Sequence, residues 1–138
     1  MNLSRNVLAV YGAIAIVMLL LDLLWLGLIA TPLYQQGIGH LMADEPRWAV
    51  ALVFYAGYPV GLVLFAVLPQ AGQTGVTRAG LLGALFGLIA YGTYDLTNLA
   101  TLRDWPLGLS LLDMGWGALV SALSSAAGKV ALDRLPPA

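Results

Sequence analysis

Four long apolar stretches limit what this chain can fold into. They cover about residues 7–30, 47–68, 78–102 and 110–132, and each is close to the roughly 20 residues that an α-helix needs to cross a bilayer. Because lipid cannot satisfy backbone hydrogen bonds, only helices and closed barrels span a membrane. The sequence therefore predicts an all-α polytopic membrane protein, with one four-transmembrane-helix bundle over residues 1–138.

Composition supports this class and argues against several functions. Charged residues make up 9% of the chain and hydrophobic residues 60%, whereas a soluble domain carries about 25% charged residues. The net charge of −1 and the lack of a basic run argue against nucleic acid as a partner. The chain has no cysteine, which excludes disulfides and thiolate chemistry.

Motifs for cofactors and metals are weak or missing. The sequence contains no P-loop, dinucleotide-binding or metalloprotease motif. His40 is the only histidine, and it stands near Asp44 and Glu45 in a predicted outer loop. One histidine with two loop acids is a poor metal signal, so we expect neither a metal nor a cofactor.

The first apolar stretch and the basic residues indicate the topology. The stretch continues to about Ala30, too long for a signal-peptide core of 7–15 residues, so we interpret it as a retained span. Lys and Arg are enriched in cytoplasmic loops, and four against two favour cytoplasmic N- and C-termini. The predicted inner side holds Arg5, Arg78, Lys129 and Arg134, and the outer side holds Arg47 and Arg103.

Three aspartates interrupt the apolar stretches: Asp22, Asp95 and Asp113. A carboxylate in hydrocarbon costs several kcal/mol, so such residues usually face a protein interior or a wet cavity. On the predicted topology all three fall in the outer half of the membrane. We expect no Arg or Lys in any span interior to pair with Asp22, so this acid can carry a proton or donate a hydrogen bond in its neutral form.

Each acid is followed three residues later by a polar or aromatic side chain on the same helix face. These side chains are Trp25, Asn98 and Trp116. Tyr91 and Tyr94 precede Asp95, and Tyr91, Asp95 and Asn98 form a stripe at i, i+4 and i+7. The predicted binding residues are Asp22, Trp25, Tyr91, Tyr94, Asp95, Asn98, Asp113 and Trp116.

Structural interpretations compete with this site. Each acid could instead form a structural hydrogen bond that holds two helices together. Ser110 and Asp113 also fit a capping box, S-x-x-D, at the start of the fourth helix. Tyr55, Tyr58 and Pro59 mark a polar, kinked middle of the second span.

Small residues at intervals of four predict close helix packing. The pairs are Gly57–Gly61 and Gly83–Gly87, and Gly117, Ser121 and Ser125 continue the pattern in the fourth span. A weak repeat relates residues 22–26 to residues 95–99, which suggests a parallel two-plus-two arrangement of helix pairs.

Three segments resemble a known family. They are Asp22-Leu23-Leu24-Trp25-Leu26-Gly27, Gly92-Thr93-Tyr94-Asp95-Leu96-Thr97-Asn98 and Asp113-Met114-Gly115-Trp116-Gly117. Through them the whole chain resembles a bacterial inner-membrane family, domain of unknown function 2177. The resemblance implies a small four-span protein of the bacterial inner membrane, and it implies no activity, substrate or catalytic residue.

Three functions stay open at this point. The leading hypothesis is binding or carriage of a small amphipathic or lipid-like ligand in an acid- and aromatic-lined pocket, gated by protonation of Asp22 or Asp95. The second is a membrane enzyme acting on a lipidic substrate, with these two acids as general acid and base. The third is an accessory subunit whose glycine faces bind a partner helix. Membrane lipids are expected partners, and a homodimer is a further prediction.

Overall fold

A computed structural model describes residues 3–136, and within them every regular element is helical. Four helical spans are long and apolar enough to cross a membrane: Arg5–Leu41, Trp48–Gln70, Thr77–Thr101 and Leu107–Arg134. The predicted all-α, four-span fold is confirmed. Its principal α-helices are Leu3–Leu24 (α1), Thr31–Ile38 (α2), Trp48–Leu62 (α3), Thr77–Thr101 (α4) and Leu107–Arg134 (α5).

The first span is longer than the apolar pattern suggested. We expected it to stop near Pro32, yet the helix continues through α2 and a short 3₁₀ turn, Gly39–Leu41. Pro32 is tolerated because it falls in the first turn of α2, where a missing N–H matters least. A π-helical segment, Trp25–Ala30, directly precedes it, and such segments interrupt the regular α-helical hydrogen bonds.

The other spans lie close to their predicted bounds. After α3, the second span continues through a π-helical segment, Val63–Val67, and a 3₁₀ turn, Leu68–Gln70. Helix α4 agrees with its prediction to within one residue at each end. Helix α5 begins at Leu107, three residues earlier than expected.

The earlier start of α5 makes the capping-box interpretation wrong. Ser110 lies inside the helix, where its hydroxyl donates to the Pro106 carbonyl at 2.8 Å. Pro106 occupies the N-cap position and makes no side-chain cap. Asp113 is therefore free of a capping role and lies almost two turns into the helix.

The spans alternate in direction. Asn6, near the start of α1, donates a side-chain hydrogen bond to the Pro136 carbonyl beyond α5 at 3.3 Å. We call the half of the bundle containing this contact the proximal half and the opposite one the distal half. The proximal half has an apolar core made of Val10, Ile14, Leu62, Val63 and Val67.

Helices α4 and α5 form the closest contact in the bundle. A Cβ atom built on Gly87 would lie 2.1 Å from the Gly117 carbonyl oxygen, and one on Gly83 would lie 2.6 Å from the Ser121 carbonyl oxygen. Only glycine allows this approach. The predicted packing role of these two residues is confirmed, whereas Gly57 in α3 has no neighbouring atom within 4 Å of such a Cβ.

In the distal half, helix α3 packs against α1 and is separated from α4. The second span contacts α4 mainly through its π-helical segment, Val63–Val67, while α3 itself packs against α1. The Tyr11 hydroxyl on α1 donates to the Ala56 carbonyl on α3 at 2.7 Å. A gap therefore opens between α3 and α4 in the distal half.

Candidate functional site

Asp22 joins three helices. Its carboxyl group accepts a hydrogen bond from the Trp116 indole N–H at 2.8 Å and another from the Tyr55 hydroxyl at 2.8 Å. Each oxygen of the carboxyl group thus has its own donor, one from α5 and one from α3. The side chain is 6% exposed, so these bonds replace water for a polar group inside the bundle.

Trp25 and Trp116 stack beside this acid. Their ring centroids are 4.6 Å apart and their planes differ by 4°. The sequence pattern paired Trp116 with Asp113 on its own helix, but the indole instead reaches across to Asp22. The buried Trp25 N–H has no hydrogen-bond partner in the described part of the chain.

Asp95 and Asp113 form a second acidic centre. Asp113 accepts a hydrogen bond from the Tyr34 hydroxyl on α2. The carboxyl group of Asp95 lies within hydrogen-bonding reach of Asp113. Asp95 is 1% exposed, and its Oδ2 has no donor among residues 3–136.

The cations of the protein lie elsewhere. Within residues 3–136, no Lys or Arg nitrogen lies within 4 Å of Asp22, Asp95 or Asp113. Lys129 is fully buried in α5, contrary to the expectation that no span interior holds a cation. Its ammonium group binds Asp133 at 2.6 Å and the Gln73 carbonyl at 2.8 Å, so it connects the loop before α4 to the proximal end of α5.

A cavity of about 350 Å³ occupies the distal gap between α3 and α4. Phe54 on α3 and Tyr94 on α4 are exposed at its rim, and Asp113 is buried on its wall. The cavity therefore leads from the membrane-facing surface to a carboxyl group. Its lining consists of Tyr34, Phe54, Tyr58, Ala90, Tyr91, Tyr94 and Asp113.

A smaller cavity of about 110 Å³ adjoins it. Three residues, Tyr34, Tyr91 and Asp113, line both cavities. The smaller one extends toward the stacked indoles and Asp22. Its remaining lining residues are Asp22, Trp25, Leu26, Tyr55 and Trp116.

The structure brings together most of the side chains that the sequence proposed. Six of the eight line one or both cavities: Asp22, Trp25, Tyr91, Tyr94, Asp113 and Trp116. Asp95 is buried against Asp113. Asn98 is half-buried and, like Asp95, belongs to neither lining, so Tyr91 is the one member of the predicted stripe that lines these two cavities.

Sequence reasoning missed four aromatic members of the site: Tyr34, Phe54, Tyr55 and Tyr58. The spacing of Tyr55 and Tyr58 marked a polar helix face but did not indicate what it faces. Tyr58 in fact hydrogen-bonds to the Ser121 hydroxyl on α5 at 2.6 Å. Tyr34 escaped notice because the first helix was expected to end before it.

Fold and site together define a four-span membrane protein whose buried acids meet inside an aromatic cluster. The family model described as "Predicted membrane protein (DUF2177)" matches residues 7–130. The chain belongs to this family, as its three motif segments indicated. No curated protein matches the chain, and no solved structure does.

Proposed function

We propose that this protein binds a small amphipathic ligand in the cavity of about 350 Å³ between α3 and α4. One observation carries the proposal: the cavity connects the exposed edge between α3 and α4 to the Asp113 carboxyl group. An apolar rim and a polar interior match a molecule with an apolar chain and a polar head. Small-molecule sites usually combine mostly apolar walls with a few polar groups in this way.

The ligand enters from the side. Phe54 and Tyr94 stand at the rim with much of their surface exposed, and in a membrane this surface meets lipid. A molecule dissolved in the bilayer reaches Asp113 through the gap without crossing a closed helix contact. Tyr34 contributes to the wall from α2.

We also propose a bacterial inner membrane with both termini in the cytoplasm. The basic residues support this orientation, because Lys and Arg favour the cytoplasmic side. Four belong to the proximal half and two to the distal loops. The site then lies toward the outer surface. The proximal residues are Arg5, Arg78, Lys129 and Arg134, and the distal ones are Arg47 and Arg103.

Two observations favour binding over the alternatives. The enzyme hypothesis paired Asp22 with Asp95, but Asp22 is held by Trp116 and Tyr55 while Asp95 lies against Asp113. The accessory hypothesis needed free glycine faces, and α5 covers the Gly83–Gly87 face of α4 within the bundle, which leaves only the open position at Gly57 among the two predicted glycine pairs. Homodimerisation stays a prediction.

Native mass spectrometry of the protein released from mild detergent, with lipid and small-molecule analysis, tests the proposal. Ala90→Phe fills the cavity wall, and Ile89→Phe is its matched control because Ile89 is 61% exposed on the lipid-facing side of the same helix. We expect wild type and Ile89→Phe to retain a defined molecule that Ala90→Phe loses. Equal retention by all three proteins would contradict the proposed cavity.

A further inference from the structure

We infer that the head group of this ligand is an organic cation, an ammonium carried on an apolar chain, and that its binding releases one proton from the acid cluster. The inference rests on the proposed function, whose cavity it uses. It adds the chemical class of the ligand and a coupling between ligand and proton.

The walls of the cavity suit a cation. Five of the seven lining side chains are aromatic, and the faces of such rings attract ammonium groups within about 6 Å of their centres. Tyr58 and Tyr91 stand nearly perpendicular, at 83° with centroids 6.0 Å apart. Rings at such an angle line the cavity in more than one orientation.

The charges point the same way. Asp113 is the one carboxyl group that lines the cavity of about 350 Å³. No Lys or Arg of the described chain lines this cavity or the smaller one. Directly beside it, Asp95 keeps a buried oxygen without a donor. Asp22 differs, because both its oxygens are occupied by Trp116 and Tyr55. The acidic pair thus has no positive charge beside it, and Asp95 Oδ2 has no hydrogen-bond donor. An ammonium supplies the charge and, if it bears N–H groups, also the donor.

Proton release follows from charge balance. Two carboxyl groups within hydrogen-bonding reach need a proton or a cation between them, since each otherwise only accepts. A net charge inside a membrane costs several kcal/mol, so in the empty site both carboxyl groups carry a proton. A site that gains a cation then stays neutral by losing one of these two protons, which leaves one carboxylate and one protonated acid beside the ammonium. The ionisable groups that surround Asp95 and Asp113 from α1, α2, α3 and α4 are Asp22, Tyr34, Tyr55, Tyr58, Tyr91 and Tyr94.

Three probes with the same decyl chain separate head-group charge from chain length. They are decyltrimethylammonium, decanol and decyl sulfate, each titrated by calorimetry into the full protein in phosphatidylcholine nanodiscs. We expect the cation to bind at least tenfold more tightly than the other two. Because protons compete with the cation, its affinity rises with pH, by up to about tenfold per pH unit where one proton is released.

Two variants and two controls locate the effect. Asp113→Asn removes the charge and should abolish the preference for the cation and its pH dependence, while Asp44→Asn, on an exposed loop, should change neither. Since Asp113 also holds Tyr34, a second variant leaves the acids untouched. Tyr94→Leu removes an aromatic ring from the rim and should lower the affinity for the cation about 2- to 30-fold. Tyr94→Phe keeps the ring and should keep the affinity.

The outcomes separate this inference from the proposed function. Equal affinity for the three probes, with binding still lost in Ala90→Phe, would overturn the cationic class and leave ligand binding standing. Cation binding with no pH dependence would overturn the proton exchange. Failure of every probe to bind, together with a purified protein that carries no molecule, would overturn both.

Discussion

The proximal and distal halves are built from the same four spans but are organised differently. The proximal half has an apolar core in which Val10, Ile14, Leu62 and Val67 are fully buried, and it also buries Lys129 beside Asp133. The distal half instead buries three carboxyl groups among tyrosines and tryptophans, and two adjoining cavities reach Asp113 and Asp22. The two halves thus differ in what occupies their interiors, which is mainly an apolar core in the proximal half and hydrogen-bonded acids beside aromatic rings in the distal half.

The reason lies in what stabilises a bundle in lipid. Apolar burial alone contributes little between helices, because lipid is as apolar as the side chains, so packing and interhelical hydrogen bonds dominate. The proximal half relies on packing, as where Gly128 in α5 meets Ile14. The distal half relies on hydrogen bonds such as those of Asp22. The following changes test this division, from the largest expected effect to the smallest.

The largest loss of stability should come from Gly87→Ala, at the close contact between α4 and α5. The added Cβ would lie 2.1 Å from the Gly117 carbonyl oxygen, so the helices must separate, at a cost of about 3 kcal/mol or more. Gly115→Ala is the control, because nothing lies within 4 Å of its Cβ. Unfolding in mixed micelles with increasing dodecyl sulfate measures both. Equal stability of the two variants would contradict the close α4–α5 contact.

Leu62→Ala tests the proximal core. The side chain is fully buried, and its removal should leave a cavity that lowers the free energy of unfolding by about 2 kcal/mol. Leu64→Ala should have little effect, because Leu64 is 52% exposed to lipid. The folded fraction of Leu62→Ala should bind ligand like wild type. Loss of binding in fully folded protein would show that the halves are not independent.

A double-mutant cycle measures the distal hydrogen bonds. Asp22→Ala and Trp116→Phe each remove one partner of the 2.8 Å bond between α1 and α5. Their coupling should be about 0.6 kcal/mol, and at most about 1.7, as for other interhelical bonds in membranes. Additive effects of the two substitutions would argue that the bond contributes no stability.

Ser110→Ala should have the smallest effect, within about 0.5 kcal/mol. The Pro106 carbonyl that accepts from the Ser110 hydroxyl also accepts from its backbone N–H, at 3.1 Å. The carbonyl therefore keeps a partner after the substitution. A helix cap at this position would instead cost about 1 kcal/mol on removal, so a loss of that size in chemical unfolding would restore the capping interpretation.

The sequence by itself determined the class of the protein and much of its local plan. Runs of about 20 apolar residues predict the spans, because hydrophobic length is a local property that the membrane selects. The glycines of α4 predicted a close helix contact for a similar reason, because the lack of a side chain is also a local property that the sequence states directly. The three acids marked the distal half because charge inside a span is rare.

Only the tertiary structure decided which groups meet. Trp116 binds Asp22 rather than Asp113, because the rotation and tilt of helices, and not spacing along one helix, select partners across a bundle. Tyr34 joins the site because a π-helical segment lets the first helix continue through Pro32. The cavity exists because α3 leans toward α1, and that tilt is set by packing that no single span encodes.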